Sequence, residues 1–356
     1  MHLYSFLCIT ILLVFSAPSW ALKVYRTGSL SDARPHTWAL HCLSGGGSDD
    51  AWASGWKKLL QSSQHGDIVI VRADGSRGDY EKWIYEDTEN HNFPKVNSVT
   101  TLSFESAGDS YDPRALALLR QAEMIFFAGG DQTLYLDFFT SSPVSQVLDE
   151  AVKTRRVSFA GTSAGMAILG KFDYSGQYSS PTDPDSLVSS SDVLKNPLGI
   201  FVDIRNRFLT LPFLQTVATD SHFSERDRHG RLVGFMARAS YNFRVLAVKG
   251  VGVDEGTALC FDQLGHAQAH GVGSAFLIKA KAPIERIEQN ISLHWYAGGQ
   301  ALEVTKISAH APHSNHFDLT TWQGSTLPSE HWAVDGSDPQ NPLLLRSPYF
   351  PASSAP

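Results

Sequence analysis

"VSFAGTSAGMAILG", Val157 to Gly170, sets a serine between two glycines where an apolar run gives way to a helix-forming one. Within it, Gly161-Thr162-Ser163-Ala164-Gly165 fits G-x-S-x-G, the nucleophile elbow. In that turn a strand passes sharply into a helix and the serine hydroxyl stands clear of the backbone. Glycines on either side permit the close packing this requires. Five such residues also occur in ordinary turns, so the rest of the chain must support the reading.

Outward from the elbow, short apolar runs alternate with helical stretches. "TWALHCLSGGG" (37–47) reads as a strand ending in a glycine loop, and "SDDAWASGWKKLLQSS" (48–63) as the following helix. "DIVIVRA" (67–73) has the unbroken apolar character of a strand buried on both faces of a parallel sheet. "SVTTLSF" (98–104) is a third strand, and "DPRALALLRQA" (112–122) a helix entered through Asp-Pro. "EMIFFAGGDQ" (123–132) is a strand running into glycines, ahead of helices over 132–139 and "SQVLDEAVKT" (145–154). "RVSFAG" (156–161) leads into the elbow. Strands alternating with helices imply an α/β fold with parallel pairing and right-handed crossovers. Strand ends at Gly45–Gly47, Gly129–Gly130 and Gly161 then share the carboxyl edge, where ligands of open α/β sheets bind.

Beyond residue 170 an irregular Ser/Pro/Asp-rich stretch reads as a loop over that edge. A helix is expected from about Ser224, followed by two or three strands in "RVLAVKGVGVDEGTALCFD" (244–262) and another in "VGSAFLIKA" (272–280). Residues 22–283 read as the catalytic domain and 284–356 as a β-rich extension without visible chemistry. The first 21 residues read as a signal peptide, with an apolar core from Leu3 to Phe15 and small residues Ser19 and Ala21 before the cleavage point. The expected location is therefore secreted or periplasmic, without stable membrane insertion.

The chain has 356 residues, 18% of them charged, and a net charge of −7, which argues against a nucleic-acid partner. Fourteen histidines form no metal-binding spacing, so no metal or cofactor is expected. Cys42 and Cys260 allow one disulfide, but both lie in apolar runs, and two buried free thiols are the favoured expectation.

A serine nucleophile needs a base, and the base an orienting acid. Candidate bases downstream include His222, His229, His266 and His270; His222 stands out, after Asp220 and ahead of a helix start. The acid candidates are Asp254 and Glu255, of which only one can reach the base if they lie on a strand. Backbone amides of Ala164, at a helix start, and Gly130, in a glycine loop, are candidates to hold an oxyanion. An α/β-hydrolase runs Ser, acid, His; the best set here runs Ser163, His222, Glu255, and no glycine-rich oxyanion motif containing His is present.

Four motifs in order, "FAGGDQ" (127–132), "GTSAG" (161–165), "DSHFSERDRHGRL" (220–232) and "GVGVDEGTAL" (250–259), resemble the cyanophycinases and their smaller relative dipeptidase E. With "LSGGGSD" near the start, the resemblance covers most of residues 37–280. It implies a three-layer sandwich with a mostly parallel central sheet, class I glutamine-amidotransferase-like (flavodoxin-like). It also implies Ser163 as nucleophile, His222 as base and Glu255 as acid, with substrate contacts at Asp131, Gln132, Asp220, Arg226, Arg228 and Arg231. The arginines suit a substrate carboxylate; equally, they suit ties to acids such as Asp227 or Asp254. The family reads Asp-Gln-His where Asp220-Ser221-His222 stands, and Asp where Gly256 follows the acid pair. The missing glutamine weakens recognition of cyanophycin's Asp-Arg units. The expected activity is an exported serine peptidase cleaving a peptide or isopeptide bond, with an acidic substrate as one candidate. An esterase on the same elbow and a catalytically silent binding homologue stand as alternatives, and a homodimer is one candidate state.

Overall fold

The computed structural model describes residues 22–86, 91–154, 157–310, 316–324 and 328–348; the leader read over residues 1–21 lies outside the described residues. The chain opens with β1 (Lys23–Gly28), β2 (Leu40–Ser44), α1 (Ala53–Ser62), β3 (Asp67–Arg72) and β4 (Ser98–Ser103). Then come α2 (Pro113–Gln121), β5 (Met124–Phe127), α3 (Gln132–Phe139), α4 (Pro143–Thr154), β6 (Ser158–Thr162) and α5 (Ala164–Ala167). Local chemistry accounts for these boundaries. The Asp112 carboxylate accepts the Arg114 N–H at 2.8 Å and Pro113 occupies the first position of α2, where a missing N–H costs nothing. Along α4, Val144, Val147, Leu148 and Ala151 form one buried stripe at helical spacing.

Strand β3 lies between β4 and β5, β6 pairs with β5 and β2 with β6, all in parallel. Alternation along β3 explains the unbroken apolar run. Ile68 and Ile70 pack with Trp56 and Leu60 of α1, while Val69 and Val71 pack with Leu119, Phe139 and Leu148 of α2, α3 and α4. Helices therefore cover both faces of an α/β sheet.

The second half supplies β7 (Asp173–Tyr174), α6 (Ser190–Lys195), β8 (Ile204–Arg205), β9 (Val217–Asp220) and α7 (His229–Phe243). Strands β10 (Lys249–Val253), β11 (Thr257–Asp262), β12 (His266–Gly271) and β13 (Ser274–Ala280) follow. The last are β14 (Leu302–Ser308), β15 (Phe317–Asp318), β16 (Gln323–Gly324), β17 (Ser329–Asp335) and β18 (Leu343–Pro348). Among the described residues the order is β1-β4-β3-β5-β6-β2-β11-β12-β15-β16 in the larger sheet and β18-β17-β14-β13-β10-β9 in a second. The strands after residue 284 thus extend both sheets: β15 and β16 continue the first beyond β12, and β14, β17 and β18 continue the second beyond β13.

Several sequence expectations are corrected. Strands β1 and β12 carry no strong apolar pattern and were not anticipated; each is an antiparallel addition, to β4 and β11. The helix expected from Ser224 begins at His229, because His222 and Asp227 take positive φ of 49° and 45° and residues between them turn. The helix after the elbow, α5, spans only four residues. Cys42 and Cys260 are joined in a disulfide rather than free. Although 218 residues apart in sequence, they are direct partners in the antiparallel pairing of β2 with β11, Cα atoms 4.1 Å apart. That neighbourhood is invisible until the topology is known.

Candidate active site

Ser163 follows β6 and precedes α5 at φ 54°, ψ −117°, a conformation a non-glycine residue holds only when its surroundings impose it. The Ser163 N–H donates to the Ser44 carbonyl at 3.0 Å, tying the elbow to β2. A Cβ at Gly165 would fall 2.1 Å from the Phe127 carbonyl oxygen, so the turn can pack on β5 only with glycine there. The two glycines of the motif are steric requirements of this packing.

His222 stands two residues beyond the end of β9, its N–H donating to the Gly45 carbonyl at 2.8 Å. The glycine loop after β2 backs its ring: a Cβ at Gly46 would lie 2.4 Å from Cε1. The buried Asp254 carboxylate accepts N–H groups of Ser224 and Ser274, both at 3.0 Å, pinning the histidine loop to the start of β13. Both acids lie beyond β10, in the turn towards β11, and they divide their work: Asp254 holds backbone and Glu255 meets the ring.

The result is a continuous chain of contacts. Ser163 Oγ lies 2.6 Å from His222 Nε2, and His222 Nδ1 lies 2.5 Å from Glu255 Oε1. A carboxylate facing Nδ1 fixes that nitrogen as the donor and leaves the Nε2 lone pair for the hydroxyl. Burial holds the imidazole below the usual histidine range, outweighing the upward pull of Glu255 and aided by the Arg226 and Arg228 charges. The neutral, proton-accepting form is therefore the stable one near neutrality.

Ser163 opens on a cavity of about 80 Å³. Gly130, Gln132 and Ala164 line it beside the serine; Asp220, Arg226, Arg228 and Arg231 line it beside the histidine. Asp131 is not among the lining residues: its carboxylate caps α3, accepting the Thr133 N–H at 2.8 Å. The arginines differ in freedom. Arg231 forks onto Asp220, and Arg228 donates to the Ser221 carbonyl at 2.9 Å and sits 3.5 Å from Asp220, burial pushing it down to about 10. Arg226, its side chain 53% exposed, is 3.6 Å from Glu255. The acids that tie these arginines are thus Asp220 and Glu255, not Asp227 or Asp254.

Sequence reasoning did not single out Gly46, nor Tyr174 and Leu187, which line the cavity from the irregular region after residue 170. The triple glycine after β2 was the available signal for the first; the other two carry none. Among the described residues no three His, Cys, Asp or Glu side chains are grouped to hold a metal, and no helix is long and apolar enough to cross a membrane.

By fold and site, this is an α/β protein with a hydrogen-bonded Ser–His–Glu chain formed where the end of β6 in the larger sheet meets the loops that follow β9 and β10 of the second. Its sequence is similar to those of cyanophycinases. The chain is 27% identical over 216 residues to the cyanophycinase of Trichormus variabilis (strain ATCC 29413 / PCC 7937), covering 60% of this chain and 62% of that one. To the cyanophycinase of Synechococcus elongatus it is 28% identical over 183 residues, 51% of this chain and 50% of that one. It thus spans less than two thirds of the length of these curated relatives. A solved peptidase from an acI-B1 Actinobacterium overlaps with a TM-score of 0.45 at 16% identity, covering 77% of this chain and 98% of that one. No family model matches the chain.

Proposed function

We propose that the protein is an exported serine peptidase on a class I glutamine-amidotransferase-like fold, hydrolysing peptide or isopeptide bonds through an acyl-enzyme. The observation that carries this reading is the 2.6 Å contact between Ser163 Oγ and an imidazole whose other nitrogen faces Glu255. Ser163 Oγ attacks the substrate carbonyl carbon as its proton passes to His222 Nε2. The oxyanion that forms is received by the amides of Ala164 and Gly130, two residues that line the cavity beside Ser163. Collapse expels the amine, which takes the proton from His222; water, deprotonated by the same ring, then releases the acid and restores the hydroxyl.

Three arginines against Asp220 and Glu255 leave the cavity one positive charge in excess, which favours a substrate with a carboxylate. Arg226 is the arginine free enough to meet it. Export accords with the apolar run from Leu3 to Phe15 and with a disulfide, a bond that persists in oxidising compartments. The test pairs a fluorophosphonate probe with a panel of acidic and β-aspartyl dipeptides and p-nitrophenyl esters. Labelling confined to Ser163, lost in Ser163→Ala and His222→Ala, with dipeptide cleavage, is expected. Labelling with ester cleavage alone makes it an esterase, and no labelling leaves a binding protein.

A further inference from the structure

Directly after His222 in the chain, Phe223 enters a cluster of four rings, one of which comes from the C-terminal strands. Phe223, the residue after His222, is fully buried; a Cβ at Gly252 of β10 would fall 2.6 Å from its ring. Its other contacts are His229, at the start of α7, with centroids 4.6 Å apart, and Phe276 of β13 at 5.1 Å. Trp332 of β17 closes the cluster, 5.5 Å from His229 and 6.2 Å from Phe276. It is fully buried, its Nε1–H held by Glu330 at 2.7 Å and the Arg346 guanidinium of β18 lying 5.7 Å from its ring.

We infer that the strands after residue 284 position the His222 imidazole through Trp332. His222 holds a positive φ of 49°, a backbone state that persists only while its neighbours over-determine it. Gly45 and Gly46 constrain it by contact; Phe223 constrains it along the chain, and Phe223 is immobile only while His229 and Phe276 are backed by the indole. Interiors pack too densely for a lost indole to pass unnoticed. The strands β14, β17 and β18 also continue the sheet that carries Asp220 at the end of β9 and Glu255 just past β10. Trp332 is a positioning residue: it touches neither the serine nor the cavity.

This inference rests on the peptidase reading for its kinetic consequence but not for its structural one, so two readouts are used on the full chain. The first is the titration of the His222 ring followed by NMR, with Glu255, Arg226 and Arg228, the charged groups around it, left unchanged. The second is the rate at which a fluorophosphonate labels Ser163. Trp332→Ala should move the His222 midpoint up towards the ordinary value and slow labelling about tenfold or more, since small misplacements are costly. Trp332→Phe should restore most of both. Trp295→Ala, which empties a 2%-exposed site in the same core without touching His229, should lower the melting temperature and leave both readouts near wild type. If Trp332→Ala does not fold, Trp332→Leu replaces it with the same expectations. Equal behaviour of the Trp332 and Trp295 variants overturns the inference. A wild type that titrates as expected but never labels overturns the peptidase reading instead.

Discussion

Arg231 grips Asp220 with two nitrogens, Nη2 2.6 Å from one carboxylate oxygen and Nε 2.9 Å from the other, and both side chains are at most 4% exposed. Paired charges of this kind are costly to break from one side, because the survivor is left buried without a partner. Asp220→Ala should cost about 3–5 kcal/mol of unfolding free energy, measured by urea denaturation. Arg226→Ala, at a half-exposed site, should change stability by less than about 0.5 kcal/mol while raising KM for acidic substrates.

Gly46 has no room for a side chain. Its φ of +96° is already unsuited to alanine, and a Cβ there would meet the His222 ring at 2.4 Å. Gly46→Ala should push the imidazole off the serine and lower the labelling rate of Ser163 about 100-fold. Labelling at the wild-type rate in a folded Gly46→Ala protein would show that the ring can work from another position.

The pH profile follows from the burial of His222. A base must be unprotonated to act, and its ring is held below 6.5, so kcat/KM should fall only as pH drops through a midpoint below that value. Arg226 contributes to the depression. Removing its charge in Arg226→Ala should therefore move the acid limb upwards, towards 6.5.

Acid should also unfold the protein earlier than its net charge implies. His41, fully buried beside the elbow strand, accepts the Phe159 N–H on Nδ1 at 3.2 Å and is pushed down to about 4. Between pH 6.5 and about 4 the unfolded chain binds a proton there that the folded one refuses, so stability falls as pH falls. The full span is worth on the order of 3 kcal/mol. Urea unfolding at pH 7 and pH 4.5 measures it; equal stabilities would remove the effect.

Reduction of Cys42–Cys260, or Cys42→Ser with Cys260→Ser, should lower stability by about 2–5 kcal/mol, because the bond closes a loop of more than two hundred residues. Ser163 should still label at moderate temperature.

Much of the α/β half was legible because strands such as β3 and β5 are continuous apolar runs and helices such as α2, α3 and α4 carry a cap or a buried stripe. "DIVIVR" and Asp112-Pro113 announce themselves locally. The Ser163, His222 and Glu255 positions were legible from motif order, since turns that display side chains on a sheet edge have a small vocabulary of residues. What could not be read depends on contacts between distant segments. The partnership of Cys42 with Cys260 follows from strand order alone, and strands β1 and β12 are made by their neighbours rather than their own apolar content. Tyr174 and Leu187 reach the cavity through irregular backbone, where periodicity says nothing. Arg226, Arg228 and Arg231 line the cavity, but their ties to Asp220 and Glu255 required coordinates.

The position of β2 between β6 and β11 has a consequence for synthesis. Its neighbours leave the ribosome about 120 and 220 residues after it, so the edge that pairs with β11 waits longest for its partner. No early fragment of this polypeptide can close its own middle. A truncation before residue 262 should therefore leave one edge of β2 unpaired and give an aggregation-prone remnant, which light scattering of the expressed fragment would measure.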